Sequence, residues 1–145
     1  MVNVNVKRLT ETARIPVRET AGAAGVDLSA DINEDVIIQP HTTVKIPTGI
    51  SVELPEGTFG AIVARSGLAT KQGLRPANCF GVCDEDYRGN YIVALHNDSN
   101  ETRVVTSGQR IAQLIIIPYI AANFVECEEL TETERGEGGF GSTGV

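Results

Sequence analysis

Short runs of β-branched and aromatic residues, separated by turn signals, constrain this chain more than any other feature. The runs occupy residues 2–6, 36–38, 44–46, 49–54, 59–63, 91–97, 102–106 and 111–117. In the first run Val2, Val4 and Val6 alternate with polar residues, as in a half-buried strand. The sequence holds 28 Val or Ile residues against 8 Leu, and β-branched side chains suit pleated sheets better than helices. The pattern predicts an all-β protein, built as a sandwich, a jelly roll or a small barrel, and argues against a helical bundle.

The length and the end of the sequence indicate one β domain followed by a tail. A chain of 145 residues with neither a linker nor an internal repeat has the size of a single domain. One short helix is expected over residues 67–72, with the Ser66 hydroxyl as its N-cap. Residues 135–145 include five glycines and cannot build a strand or a core. We therefore divide the chain into a β domain, residues 1–134, and a Gly-rich tail, residues 135–145.

The net charge and the number of cysteines limit which partners the protein can bind and in which compartment it is expected. The net charge is −7, and residues 126–137, with six Glu and one Arg, account for −5 of it. The chain thus lacks the broad basic surface that holds nucleic acids. Three cysteines are too few, and odd in number, for a disulfide framework, which favours a reducing compartment and small buried thiols at Cys79 and Cys83.

The sequence shows neither a signal peptide nor an apolar stretch long enough to span a membrane. It therefore predicts a soluble protein that is not secreted and does not associate with membranes. The expected location is the cytoplasm, with the nucleus as the alternative in a eukaryote.

The tail has two interpretations when it is taken alone. Chain ends rich in glycine are commonly solvated and disordered. Glycines also let several backbone N–H groups converge on one anion, and Arg135, Ser142 and Thr143 would add donors to such a phosphate cradle. Phe140 favours the cradle, because an isolated aromatic ring among glycines has no core to join and could stack on a nucleobase.

Four further segments place polar residues beside glycines in apolar surroundings. They are residues 21–30 (AGAAGVDLSA), 64–69 (ARSGLA), 78–89 (NCFGVCDEDYRG) and 108–115 (GQRIAQLI). Read with the tail, these segments resemble the five motifs of the trimeric deoxyuridine triphosphatase (dUTPase) family, in the family's order along the whole domain. The resemblance implies a distorted jelly-roll β barrel and a homotrimer whose active sites are shared between subunits. It also implies hydrolysis of dUTP to dUMP and pyrophosphate, with Mg²⁺ bound to the triphosphate.

The resemblance assigns residues to the metal and the phosphates. Asp27 matches the acid that contacts the metal through water, although an Asp that caps a turn needs no such function. The residues that match the phosphate-binding group are Arg65, Ser66 and Gly67. Ala64 stands where the family usually has Pro, a departure that removes no hydrogen-bond donor.

The third segment matches the part of the family that recognises the nucleoside. Asn78 and a run of backbone groups match the β-hairpin that reads uracil, and Ile92 matches a backbone contact on the returning strand. The backbone run consists of Gly81, Val82, Cys83 and Asp84. Tyr87 matches the residue stacked under the deoxyribose, where it would collide with a 2′-hydroxyl; an ordinary half-buried strand tyrosine is the alternative. Asn90 stands where an acidic residue is frequent.

Two residues match the catalytic machinery. Asp84 matches the carboxylate that deprotonates the water attacking the α-phosphorus, and Gln113 matches the amide near that phosphate and water. Spacing alone does not separate Asp84 from Asp86, which we expect to form an ion pair with Arg88. Arg110 is expected to support the site or subunit contacts.

In the tail, Arg135 matches the residue that contacts the γ-phosphate, and Phe140 matches a lid ring over uracil. The residues that match the phosphate wrap are Gly138, Gly139, Gly141, Ser142 and Thr143. The resemblance therefore makes residues 135–145 a lid over the active site.

Two other functions fit parts of the sequence. The first is a dCTP deaminase, an enzyme of the same fold family that releases ammonia from cytosine. The second is a noncatalytic jelly-roll module for assembly or regulation. The complete tail and the Asp84–Tyr87 run favour the triphosphatase over both.

Overall fold

A computed structural model describes residues 2–139 of the chain. Within that range it contains eleven strands and one helix. In chain order these are β1 (Asn5–Arg8), β2 (Val26–Ser29), β3 (Val36–Ile38), β4 (Thr43–Pro47), β5 (Ile50–Glu53), β6 (Thr58–Val63), α1 (Ser66–Gln72), β7 (Leu74–Pro76), β8 (Gly81–Cys83), β9 (Ile92–Asn97), β10 (Arg103–Val105) and β11 (Arg110–Pro118). The prediction of an all-β, distorted jelly roll with one short helix is confirmed.

The strands form four small antiparallel sheets. The largest has the order β2-β11-β6-β8, and a three-stranded sheet has the order β4-β9-β7. The strand pairs β1-β5 and β10-β3 form the two remaining sheets. The long strand β11 pairs with β2 near its start and with β6 from Gln113 to its end. The three strands therefore lie side by side around Gln113.

The core consists mainly of the β-branched and leucine side chains that the strands turn inwards. Its largest fully buried members are Tyr91, Leu28, Ile38, Ile46, Ile50, Leu74, Leu95 and Ile111. Burying each aliphatic side chain of this size contributes about 1.5–3 kcal/mol relative to leaving it exposed. The buried core contains eight Val or Ile and six Leu residues, so most of the surplus of Val and Ile over Leu lies outside the core.

Asn97 is a polar exception inside this core. Its side chain is fully buried at the end of β9. The amide nitrogen donates to the carbonyl oxygens of Ile38 at 3.0 Å and Glu101 at 2.8 Å, and the amide oxygen accepts from the backbone N–H and the hydroxyl of Ser99 at 3.0 and 2.7 Å. One side chain thereby joins the end of strand β3 to the turn at residues 99–101 and satisfies backbone groups of both.

Three local predictions differ from the structure. The first strand begins at Asn5 and not at Val2, which is 72% exposed, because its partner β5 offers four residues for pairing. Strands β2, β7 and β8 were not expected, since each has only three or four residues and lies beside Gly or Pro. Ser66 is the first helical residue and not the N-cap, a position that Arg65 occupies without a side-chain hydrogen bond.

In residues 2–139 no helix is long and apolar enough to cross a membrane.

Candidate active site

The phosphate-binding residues that the sequence predicts meet at one end of the largest sheet. Gln113 on β11 lies opposite Asp27 on β2 and, on its other side, opposite Val63 on β6. Arg65 and the start of α1 follow β6 directly. Three adjacent strands thus bring side chains that are far apart in sequence to the same edge.

A cavity of about 280 Å³ lies at this edge, which we call the phosphate cavity. Its lining residues are Arg65, Ser66, Gly67, Leu68, Lys71, Gln72 and Gln113. An added Cβ at Gly67 would meet no heavy atom within 4 Å, so the backbone there is open to an incoming group. Backbone N–H groups at the start of α1 have no partner within the helix, and together with Arg65 and the Ser66 hydroxyl they suit an anion.

Sequence reasoning missed Lys71 as a member of this cavity. Lys71 lies four residues after Gly67 on α1, so both are on the same side of the helix. That spacing was a signal in the sequence. It was ambiguous, because a lysine in the last turn of a helix also interacts favourably with the helix dipole and needs no ligand.

Asp27 is held by two arginines. Its carboxylate is 12% exposed and accepts from Arg65 Nε at 2.8 Å through Oδ1 and from Arg110 Nη1 at 3.0 Å through Oδ2. Glu19 lies 3.5 Å from the same nitrogen of Arg110. The alternative of an Asp that merely caps a turn is wrong, because Asp27 is inside strand β2.

The part of the chain that the structure describes holds no group of three or more His, Cys, Asp or Glu side chains that could bind a metal by themselves. Asp27 is the carboxylate nearest to the predicted phosphate-binding side chains, and it can offer a single side chain to a cation. Mg²⁺ characteristically uses one or two carboxylates together with substrate phosphates and water. The donor set therefore fits a magnesium ion that arrives with a phosphate ligand.

The segment that the sequence assigns to nucleoside recognition, residues 78–89, lies between β7 and β9. The backbone N–H of Ala77 donates to Ala94 O at 2.7 Å, which extends the pairing of these two strands and brings Asn78 and Ile92 to the same end of the sheet. Strand β8 pairs with β6 and not with β9. The expected hairpin of residues 81–84 with the strand of Ile92 is therefore not formed, and residues 78–91 are a long excursion between the paired strands β7 and β9.

Within this excursion Asn78 and Gly81 lie close together. An added Cβ at Gly81 would be 3.6 Å from the Asn78 side-chain nitrogen and 3.3 Å from Ile62 Cβ. A narrow gap between an amide and exposed backbone provides both donors and acceptors for a planar base.

Tyr87 is positioned by its neighbours. Its hydroxyl donates to Asn90 O at 3.1 Å, and its ring centroid lies 6.0 Å from that of the buried Tyr91. An added Cβ at Gly89 would lie 2.3 Å from the Tyr87 hydroxyl, so a side chain there would displace the tyrosine ring from this position. The Tyr87 ring itself is 43% exposed, so one face remains available to a ligand.

Asn90, whose departure from the family had no assigned effect, has a structural contact. Its side-chain oxygen accepts from the backbone N–H of Gly49 at 3.0 Å. Gly49 has φ +68°, and an added Cβ there would lie 2.1 Å from Asp31 Oδ2. Asn90 thus anchors the end of the excursion to a turn that only glycine accommodates.

Cys83 and Tyr91 form the buried floor under this segment. Burial raises the pKa of the Cys83 thiol and raises the pKa of the Tyr91 hydroxyl well above its usual range. Both groups are therefore neutral near pH 7 and do not supply charge to the site. Cys79 is exposed, so the expectation of two buried thiols is correct for Cys83 alone.

Asp84 follows β8 directly and is exposed to solvent. It lines a cavity of about 640 Å³, which we call the aspartate cavity, together with Phe59, Phe80, Val82, Glu85, Asp86 and Tyr119. Desolvation and the nearby Glu85 carboxylate raise the pKa of Tyr119. The expected Asp86–Arg88 ion pair is wrong, because Arg88 lies 3.5 Å from Glu53 and no ion pair joins it to Asp86 in residues 2–139.

One protomer does not bring Asp84 to the phosphate cavity. Cys83 lies opposite Gly60 on β6, so Asp84 is level with Phe59, whereas Arg65 follows the other end of that strand. Residues 59 and 63 alone are about 13 Å apart at the spacing of an extended strand. The two cavities also share no lining residue. Each chain therefore carries two separated parts of the predicted site.

The tail is described as far as Gly139. Arg135 Nε donates to Gly138 O at 2.8 Å, so this guanidinium folds onto its own backbone. Phe140, Gly141, Ser142 and Thr143 lie outside the described residues.

Comparison with known proteins gives a consistent result. Residues 11–144 match the family model described as dUTPase. A deoxyuridine 5'-triphosphate nucleotidohydrolase of Desulfitobacterium hafniense is 48% identical over 145 residues, which cover 99% of this chain and 96% of that protein. A protein of the same name from Neisseria meningitidis serogroup A is 42% identical over 147 residues, covering 99% and 98%. Among solved structures, the Staphylococcus bacteriophage 80alpha dUTPase with dUPNHPP is similar, with a TM-score of 0.86, 31% identity and full coverage of both chains.

Proposed function

Because the chain belongs to the dUTPase family, we propose that it is a dUTP diphosphatase, which hydrolyses dUTP to dUMP and pyrophosphate. Such an enzyme limits the incorporation of uracil into DNA and supplies dUMP for thymidylate synthesis. The observation that carries the proposal is the strand register that places Asp27, Gln113 and Arg65 at one edge. That edge offers donors for a triphosphate, and a second part of the chain offers a cleft for the nucleoside.

Asp84 acts as the general base in this proposal. Its exposed carboxylate accepts a proton from water, and the resulting nucleophile attacks the α-phosphorus opposite the leaving pyrophosphate. Gln113 orients the α-phosphate and the water through its amide. Arg65, Ser66 and Gly67 hold the phosphates by charge and hydrogen bonds. Asp27 would hold Mg²⁺ through water together with the triphosphate, and the ion would offset the negative charge of the phosphates.

Uracil is selected by the excursion between β7 and β9. The Asn78 amide, the backbone of residues 81–84 and the backbone of Ile92 pair with the base edge, and cytosine would leave some of these groups unpaired. The available face of Tyr87 packs under the deoxyribose and leaves no room for a 2′-hydroxyl. Gly89 keeps that ring in place.

Two features of the chain support the proposal of a homotrimer with shared sites. The first is the separation of Asp84 from the phosphate cavity of the same chain. In an assembly, Asp84 of one chain can instead lie beside the phosphate cavity of a second copy. The second is the segment 119–139, which we call the arm. Ile120 and Phe124 of the arm are 91% and 95% exposed, and Val125 and Leu130 are also largely exposed. Apolar side chains of this kind are stable when a neighbouring subunit covers them.

The tail then closes the site. Arg135 leaves its contact with Gly138 and binds the γ-phosphate, Phe140 stacks on uracil, and the glycines with Ser142 and Thr143 wrap the phosphates. Closure excludes water other than the nucleophile. The enzyme works in the cytoplasm, a reducing compartment that suits its three free thiols.

A substrate test separates this activity from its rivals. The chain is incubated with dUTP or dCTP and Mg²⁺, and both pyrophosphate and ammonia are measured. We expect pyrophosphate and dUMP from dUTP. Ammonia from dCTP without pyrophosphate would identify a deaminase, and no turnover at any Mg²⁺ concentration would identify a noncatalytic module.

A matched pair of variants tests the base. Asp84→Asn should lower kcat by at least about a hundredfold, the scale of a lost general base, while the unfolding curve stays unchanged. Asp86→Asn removes the same charge two residues away, and it should keep most of the activity. The reverse result would move the catalytic role to Asp86.

A further inference from the structure

A β-bulge in β11 places Arg110 on the face of the sheet that carries Asp27. Gln113 lies opposite Asp27 and Ala112 opposite Leu28, but it is Arg110, and not Ile111, that lies opposite Ser29. Ile111 is therefore the extra residue of a bulge, and its side chain is fully buried.

The bulge changes the direction of the Arg110 side chain. In a regular ladder Arg110 would share the face of Ala112 and Leu114, both of which are buried in the core. Because Arg110 instead pairs with Ser29, two residues after Asp27, it lies on the face of Asp27 and Gln113. One inserted residue thus turns a charged side chain away from the core and towards a carboxylate.

The two arginines approach Asp27 from different cavities. Arg65 lines the phosphate cavity and uses Nε for Asp27 Oδ1. Its Nη1 makes only a long contact of 3.5 Å to the Arg110 backbone oxygen, so the terminal nitrogens can turn to another anion. Arg110 lines a separate cavity of about 340 Å³ with Glu19 and Asp27, and it does not line the phosphate cavity. Each oxygen of Asp27 is thereby occupied by one guanidinium.

We propose that Arg110 is a positioning residue for Asp27, and that its hold on Oδ2 keeps Arg65 available to the triphosphate. Without Arg110, both oxygens of Asp27 would be open to Arg65, and the favoured geometry of an arginine with a carboxylate is bidentate. A bidentate pair would withdraw Arg65 from the phosphates. This inference rests on the proposed function, since the triphosphate is its ligand.

A double-mutant cycle with the nonhydrolysable analogue dUpNHpp tests the proposal. Its affinity for the full chain is measured by calorimetry in EDTA, so that no metal takes part. Arg110→Gln should weaken binding about tenfold, the scale of a charge-assisted hydrogen bond that is lost to a competing partner. In the Asp27→Asn background the same change should alter the affinity by less than about twofold, because the competing carboxylate is gone.

Three further measurements separate positioning from general structural support. Arg110→Lys should restore the affinity to within about threefold, because Arg110 makes a single hydrogen bond to Asp27 that a lysine can replace. Glu19→Gln removes an exposed carboxylate that lies 3.5 Å from the same Arg110 nitrogen, and it should change the affinity by less than about twofold, because the closer bond to Asp27 remains. With Mg²⁺ and dUTP, Arg110→Gln should raise KM more than it lowers kcat.

The outcomes are distinct. Equal weakening by Arg110→Gln in both backgrounds would mean that Arg110 contacts the triphosphate directly, and no weakening in either would reduce it to a surface ion pair; both contradict the proposal. Binding of dUpNHpp by the unaltered chain is measured first, both with Mg²⁺ and in EDTA. Absence of binding under both conditions would contradict the proposed function and this inference together, whereas binding without coupling would contradict this inference alone.

Discussion

The barrel, residues 5–118, and the arm, residues 119–139, use apolar side chains in opposite ways. In the barrel, large residues such as Leu28 and Ile111 are almost completely buried by their own chain. In the arm, Ile120 and Phe124 are almost completely exposed. The contrast shows that the barrel buries its core within one chain, whereas the apolar side chains of the arm have no such cover in their own chain.

The backbone shows the same contrast. Every strand of the described chain lies between residues 5 and 118 and pairs with at least one other. The arm contains no strand within its described residues, and its first residue, Tyr119, donates its N–H to Gly57 O at 3.1 Å. Stability should therefore depend on the barrel, and assembly and catalysis should depend on the arm and tail.

The largest effect is expected from Asn97→Ala in the barrel. The change removes four hydrogen bonds at a fully buried position and leaves the carbonyls of Ile38 and Glu101 without this donor. We expect the free energy of unfolding to fall by about 3–5 kcal/mol. Urea denaturation followed by circular dichroism measures it.

The control for this variant is Asn33→Ala, which removes an exposed amide from a turn. It should change the free energy of unfolding by less than about 0.5 kcal/mol. Equal effects of the two variants would contradict the idea that Asn97 closes the barrel from inside.

Deleting residues 135–145 should have the next largest effect, and on activity alone. The deleted segment holds no core residue among those described, so the unfolding curve should not move. We expect kcat/KM for dUTP to fall by about a hundredfold, because the lid no longer completes the site. A truncated enzyme with full activity would show that closure does not need the tail.

Sequence reasoning predicts the barrel well where the runs are long and poorly where they are short. Strands such as β6 and β11 can be predicted because each contains five or more β-branched or apolar residues. Strand β2, which carries Asp27, has four residues in a Gly-rich segment, and its pairing with β11 depends on a partner more than 80 positions away. No local pattern could reveal that pairing, because contacts with strands distant in sequence stabilise it, and not the intrinsic preferences of its own residues.

The same limit applies to the site. The motif resemblance identifies Asp27 and Arg65 one at a time, and the structure adds that they form an ion pair in the free chain. The bulge at Ile111 leaves no signal in the sequence, since Arg110 and Ile111 read as ordinary strand residues. The sequence also does not show that Asp84 and Arg65 are separated. Asp84 lies beside the start of β6, whereas Arg65 follows its end, and only the strand pairing reveals this.

Phe124→Ser tests the arm with a smaller effect. If a neighbouring subunit covers Phe124, its loss should weaken the trimer by about 2 kcal/mol for each protomer. Analytical ultracentrifugation over a range of protein concentrations measures the association. Val2→Ser, a change at another exposed apolar residue but outside the arm, should leave the association unchanged. Equal association of all three proteins would show that the arm is free in the assembly.

The smallest effect is expected at the barrel surface, where Arg75 binds Asp98 through two hydrogen bonds of 2.6 and 3.0 Å. The hydrogen bonds from Arg75 lower the pKa of the Asp98 carboxyl below its ordinary value. A carboxyl whose pKa is lower in the folded state stabilises the fold above its unfolded pKa, and this contribution is lost as the pH falls through the folded value.

Asp98→Asn should therefore reduce stability slightly at pH 7, and the difference from the unaltered chain should disappear once the pH falls below the lowered pKa of the folded-state carboxyl. Urea midpoints measured from pH 7 down to pH 2 follow this difference. Asp35→Asn, which removes the same charge from another exposed site, should give a smaller difference with no such trend. Because both partners are half-exposed, water screens their attraction and the effect stays well below that of Asn97→Ala. A difference between Asp98→Asn and the unaltered chain that persists at pH 2 would assign the effect to lost packing and not to the charge.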